Sequence, residues 1–247
     1  MDYLGLFLLA SLIVGMSKGG LTTAGALSVP FLSIWIDPLV AAGILLPVYL
    51  VSDVTGVWLY RREFSRPNVL LLIPAGLLGV IIATLLAPFV SANVAGLATG
   101  LIGLVYCGQA FAKRLRGRDN SRPFSIGRGI FWGALSGITS FISHTGAPPY
   151  QTFILPQKLS KMDYAGTTTI VFAAVNLFKL PAYASIGLMS DLHWPSILGM
   201  CGVASIGAVF GRRLAQWLRQ EVYFTVIQVL LFIVSGYLVW KALAEIF

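Results

Sequence analysis

"GMSKGGLTTAGALSVP", residues 15–30, decides what kind of chain this is. It sets a full positive charge, Lys18, and a cluster of glycines between two apolar runs, "LGLFLLASLIV" (4–14) and "LSVPFLSIWI" (27–36). In water such a segment is ordinary. In a bilayer both features need a reason. A lysine at the centre of a membrane helix costs ~2.5–3.5 kcal/mol on insertion scales. Irregular backbone at that depth persists only where protein buries it or where it lines a cavity.

Composition says that the bilayer is the relevant solvent. The 247 residues are 57% hydrophobic and 11% charged, whereas soluble domains average ~25% charged. Mean hydropathy is +0.85. Apolar stretches fall at 3–16, 21–36, 39–60, 68–89, 92–112, 126–143, 147–157, 163–188, 194–217 and 222–244. Several approach the ~20 residues a membrane helix needs, and they are too long for barrel strands. The expected class is an all-α, multi-pass protein of the inner (plasma) membrane. No cleavable signal peptide is expected, since the opening lacks a basic region before its apolar run.

The net charge of +8 does not point to nucleic acid. Basic residues cluster in short loops, as membrane topology requires. Arg61, Arg62 and Arg66 follow the third stretch, and six Lys and Arg residues lie between 113 and 128. Lys158 and Lys161 follow the seventh stretch, and Arg212, Arg213 and Arg219 surround the last loop. All these loops share the cytoplasmic side if each of two short pairs, the first two stretches and the sixth and seventh, enters and leaves on one face as a hairpin. Both termini are then extracytoplasmic.

The two halves repeat. A shift of 126 residues lays "KGG" (18–20) on "HTG" (144–146), Pro30 on Pro156 and Asp53 on Lys179. A shift of 128 lays Pro67 on Pro195 and Gly79 on Gly207. The expected organisation is a first repeat at 1–112, a basic cytoplasmic linker at 113–125 and a second repeat at 126–247. Each repeat is a broken-helix hairpin plus three spans, and because three is odd the second is inverted. In transporters of that architecture the substrate site lies near the midplane, at the paired breaks.

Helices restarting after "KGG" and "HTGAPP" would offer backbone N–H groups and a positive dipole end to an anion. Lys18, Gly19, Gly20, His144, Thr145, Gly146, Asn176 and Lys179 are the expected substrate-binding residues. Asn176 lies one helical turn before Lys179 on the same face. Thr169, Tyr150 and Gln151 are weaker candidates. Asp53 and Lys179, at matched positions, are candidates for an ion pair that would leave Lys18 unpaired. His144 and Asp53 are the candidates for coupling to a proton. Cys107 and Cys201 lack metal-ligand spacing and read as packing residues. "GLATG" (96–100), "GALSG" (133–137) and "GAVFG" (207–211) read as close helix contacts. Trp35, Trp58, Trp194 and Trp240 read as interface anchors. No metal or other cofactor is implied. A homodimer is compatible with the sequence.

The motifs resemble a known family. "VGMSKGGLTTAGALSVPFL" (14–32) is similar to the first motif of the TauE/SafE sulfite exporters, also called the toluene sulfonate uptake permeases. "GITSFISHTGAPPYQTFILPQKLSKMDYAGTTTIVFAAVNLFKLPAYASIGL" (137–188) is similar to the second and more specific one. Its order is a His-Thr-Gly-Ala-Pro-Pro break, a "GT" helix start, Asn-x-x-Lys, then Tyr and Gly. The resemblance covers almost the whole chain. It implies a secondary transporter for a small sulfur-containing anion such as sulfite or an organosulfonate. The residues by themselves say only "small anion, midplane site". An anion channel of the same architecture is the alternative. An enzyme is not expected, because HExxH, GxSxG and carboxylate pairs are all missing. A scaffold without a site gains nothing from buried lysines.

Overall fold

The computed structural model describes residues 4–32, 35–36, 38–86, 92–115, 121–143, 145–185 and 193–246. α1 spans Leu4–Lys18, and a 3₁₀ turn at Ala24–Leu27 runs into the short α2, Ser28–Leu32. α3 (Pro38–Tyr60), α4 (Arg66–Leu86) and α5 (Ala92–Leu115) follow. α6 (Ile126–Ser143) ends before the second break. α7 (Ala147–Ile154) restarts the chain and closes on a 3₁₀ turn at Leu155–Gln157. α8 (Lys161–Ser185), α9 (Trp194–Trp217) and α10 (Gln220–Ile246) complete the described residues. The described regular structure is helical, with both breaks at the expected places. His144 lies outside the described residues.

Polarity is arranged as a bilayer demands. Large apolar side chains such as Val54, Leu70, Leu85, Leu198 and Ile206 face outward, while Lys18, Asp53, Asn176, Lys179 and many Ser and Thr residues are buried. Among the described residues four helices, α3, α4, α9 and α10, are long and apolar enough to cross a membrane. Trp35, Trp58, Trp194 and Trp240 are all exposed and lie near helix ends, where amphipathic rings suit the lipid–water boundary.

The chain packs as two units. One comprises Met1–Ser65 and Lys161–Tyr223, the other Arg66–Ser160 and Phe224–Phe247. Each therefore draws helices from both halves of the sequence. In the first unit α1 packs along α9, and α3 packs on α8 and α9. In the second, α4 packs along α6, and α7 packs on α5 and α6.

Small residues make the two principal crossings. A Cβ on Gly15 would run into the carbonyl of Ala204, and one on Gly19 into that of Ala208. In the other unit, a Cβ on Gly137 would strike the carbonyl of Gly76. The repeat-related glycines do the same task. Gly207 meets the carbonyl of Leu12 in α1, and Gly79 meets that of Ala134 in α6. Both crossings thus set the first helix of one half against the fourth helix of the other half, backbone on backbone. "GALSG" and "GAVFG" act as expected. "GLATG" does so only through Gly100, which fits against the carbonyl of Ser235, while Gly96 has nothing within 4 Å.

Candidate functional site

α1 stops because its glycines cap it. Gly20 has φ +130°, a conformation that glycine adopts without steric penalty. This turns the chain so that the N–H of Gly20 donates to Ser17 O (3.3 Å) and that of Leu21 to Met16 O (3.1 Å). That is the pattern of a glycine-terminated helix end. The N–H of Gly19 continues the helix to Gly15 O at 2.9 Å. The carbonyls are held as well: the Tyr60 hydroxyl donates to Gly19 O and the Tyr223 hydroxyl to Gly20 O, both at 2.6 Å. The N–H groups of Gly19 and Gly20 are thus turned back onto α1. These glycines close a helix C-terminus, and protein partners take their donors and acceptors.

Beside this cap lies a cluster of buried charged and polar side chains. Lys18 Nζ is 2.7 Å from Asp53 Oδ1 and 5.1 Å from the centre of the Tyr49 ring. Asn176 Nδ2 donates to the other carboxylate oxygen of Asp53 at 2.7 Å. Asn176 Oδ1 in turn accepts from Lys179 Nζ at 3.3 Å. These four side chains are buried deeply for such polar groups: residue exposures are 6% for Lys18, 4% for Asp53, 4% for Asn176 and 1% for Lys179. Helix periodicity explains how three helices supply them. Tyr49, Asp53, Gly56 and Tyr60 fall on one face of α3, at spacings of three and four. Thr169, Asn176, Lys179 and Tyr183 do so on α8. Gly56 lets α3 come close, since a Cβ there would lie 2.7 Å from Thr169 Cγ2 and 3.0 Å from Lys18 O. Thr169, a weaker candidate, donates to Lys18 O at 3.1 Å and so caps α1.

Asp53 thus pairs with Lys18, and the expected direct Asp53–Lys179 pair is corrected. The physical reason is Asn176. One turn before Lys179, it occupies the second carboxylate oxygen with its amide N–H and turns its carbonyl to the ammonium. The charges form a relay from Lys18 through Asp53 and Asn176 to Lys179. With both lysines protonated there are two ammonium groups for one carboxylate. Among the described residues the Lys179 ammonium forms no ion pair with a carboxylate, and Asn176 Oδ1 is the one acceptor found there for its three N–H donors.

Thr145 and Gly146 belong to the second unit. The Thr145 N–H reaches Thr139 O at 3.4 Å. Gly146 stands at the start of α7, and its carbonyl accepts from the Ser136 hydroxyl at 2.8 Å and from the Tyr150 N–H at 3.3 Å. Pro148 and Pro149 fit the first turn of a helix, but they also remove two of its N–H donors. Tyr150 and Gln151 are fully buried beyond them.

Sequence reasoning missed Tyr49, Gly56, Tyr60 and Tyr223. The tyrosines carried a signal: a hydroxyl in an apolar helix has to find a partner, and each lies one or two turns from a marked residue or a chain break. It also missed a rim contact, in which Arg212 Nη2 lies 2.6 Å from Glu63 Oε2 and the guanidinium stacks 4.6 Å from the Tyr60 ring.

An apolar exterior, long apolar helices and a buried, charged polar core define the class: a multi-pass helical membrane protein. The chain belongs to the sulfite exporter TauE/SafE family, whose model matches residues 7–238. That is a family of membrane transporters, with a small anion as substrate. No curated protein and no solved structure gives a significant match.

Proposed function

We propose that this protein is a secondary transporter that carries a small sulfur oxyanion, sulfite or an organosulfonate, across the inner membrane, and that Lys179 with Asn176 forms the anion-holding end of the Lys18–Asp53–Asn176–Lys179 relay. The observation that carries the reading is two buried lysines in one relay with a single buried carboxylate, which pairs with Lys18 and leaves Lys179 on Asn176. An unmatched ammonium in hydrocarbon is costly, and an oxyanion that accepts its remaining N–H donors removes that cost. Family membership supports the substrate class. Lys18, held by Asp53, contributes to the positive field without direct contact.

The inverted-repeat topology is part of the same proposal. The one-sided distribution of basic loops supports it, as does the matched use of Gly79 and Gly207 at the two helix crossings. Reconstitution into liposomes tests the function. Uptake of sulfite, taurine, sulfoacetate and sulfate would be followed with and without an imposed proton gradient. A carrier gives saturable flux that responds to the gradient and selects sulfite or sulfonates over sulfate. Flux that rises linearly with concentration and ignores the gradient would instead identify an anion channel.

A further inference from the structure

The second unit contains a cavity of about 440 Å³ that the transport reading does not use. Leu101, Val105 and Gln109 line one wall, four residues apart along one face of α5, with Trp132 of α6, Thr152 of α7 and Arg122 on the other sides. The cavity is open to the surroundings, because Leu101 is 47% and Val105 57% exposed in the whole chain. Its polarity is graded. Leu101 and Val105 lie on the apolar stretch of α5. Gln109 lies one turn beyond Val105, toward the C-terminal end of α5. Trp132 stands about 9 Å into α6 by helix rise, the depth that suits an interfacial ring. The backbone N–H of Arg122 is tied to Pro156 O at 2.9 Å, which fixes the guanidinium's base at the rim. Among the described residues no carboxylate pairs with Arg122.

We propose that this groove is a binding site for an anionic phospholipid. One acyl chain would lie along Leu101 and Val105, and the phosphodiester would be held by Arg122 with Gln109 as a hydrogen-bond donor, while the Thr152 hydroxyl donates to Pro148 O at 2.9 Å and only lines the wall. A grease-lined slot with one cation among its described lining residues, and an aromatic ring at the level between them, has the same order of chemistry as a lipid read from tail to headgroup. Arg can engage a phosphate through two parallel N–H bonds, and basic pockets between membrane helices are a known mode of headgroup recognition. The volume lies within the usual range of ligand sites, ~300–1,000 Å³.

Native mass spectrometry of the full-length protein in detergent, with equal amounts of phosphatidylglycerol and phosphatidylcholine, tests the site. The wild type should retain one phosphatidylglycerol under activation that strips phosphatidylcholine, and inorganic phosphate should not displace it. Arg122→Gln should lower phosphatidylglycerol retention by roughly 10-fold or more, the effect of losing one charge-assisted contact. Val105→Trp, which fills the slot but keeps the charge, should also lower it. Arg128→Gln is the control. Arg128 is half-buried on α6 and lies over Phe153 (6.0 Å) but not in the cavity wall, so its loss should leave retention unchanged. Equal retention of the two lipids, or an equal loss with Arg128→Gln and Arg122→Gln, would overturn the proposal in favour of diffuse surface charge. Displacement by phosphate alone would overturn it in favour of a free-anion site.

Discussion

Asp53 shows what one buried side chain decides. It accepts from Asn176 with one oxygen and pairs with Lys18 through the other, so removing it leaves two lysines with no carboxylate between them. Breaking a buried pair from one side typically costs ~3–5 kcal/mol, largely because the remaining charge is uncompensated. Asp53→Asn should therefore depress folded yield and thermal stability sharply. The double variant Lys18→Met/Asp53→Asn should recover much of that loss. Thermal denaturation of the purified variants checks it, and additive losses would mean that the two groups act independently. The importance of these residues was legible in the sequence, because any ionisable group inside an apolar run demands a reason. Their pairing was not. Register along the chain equates Asp53 with Lys179, but which ammonium reaches the carboxylate depends on how α1 leans on α3. No spacing rule encodes that. Asn176, read as a donor to substrate, also serves as the spacer between charges.

At the scale of the element, the two breaks were legible from glycine and proline alone, and helix ends fell within a few residues of the apolar runs. At the first break the glycines end α1, because Gly20 takes a positive φ and its N–H and that of Leu21 fold back onto the helix. Both a helix start and a helix end use glycine. Telling them apart needs the φ value, or the tyrosines that bond the exposed carbonyls. Gly20→Ala should be strongly destabilising. Its Cβ would stand 2.8 Å from the Tyr60 hydroxyl and 2.9 Å from Ala215 Cβ, and the conformation is strained for any L side chain. Gly5→Ala is the counterpart. Gly5 lies in α1 with nothing within 4 Å, so alanine should be neutral or stabilising by up to ~1 kcal/mol from helix propensity. Melting temperatures of the two variants should move apart. A similar fall in both would remove the cap from the account.

At the scale of the whole molecule, membrane residence and helix order were readable because hydropathy and loop charge are one-dimensional signals. The composition of the two packing units was not, since each assembles segments from both halves through backbone contacts that only small residues allow. The topology itself makes a prediction. On a background with Cys107 and Cys201 replaced by alanine, a cysteine at His193 should react with a membrane-impermeant thiol reagent applied to intact cells. One at Ser121 should react only after the membrane is opened. Both positions are exposed. Labelling of Ser121 from outside would invert the proposed orientation.

The central claim is that the lysine in excess of the buried carboxylate holds the transported anion, and titration calorimetry of sulfite into purified protein tests it most directly. Lys179→Met keeps most of the apolar stem and removes the ammonium. Loss of one charge-assisted hydrogen bond, ~1.5–3 kcal/mol, predicts affinity weaker by ~10- to 150-fold, with the melting temperature unchanged or raised. Wild-type affinity in the Lys179→Met protein would contradict the account and place the anion elsewhere.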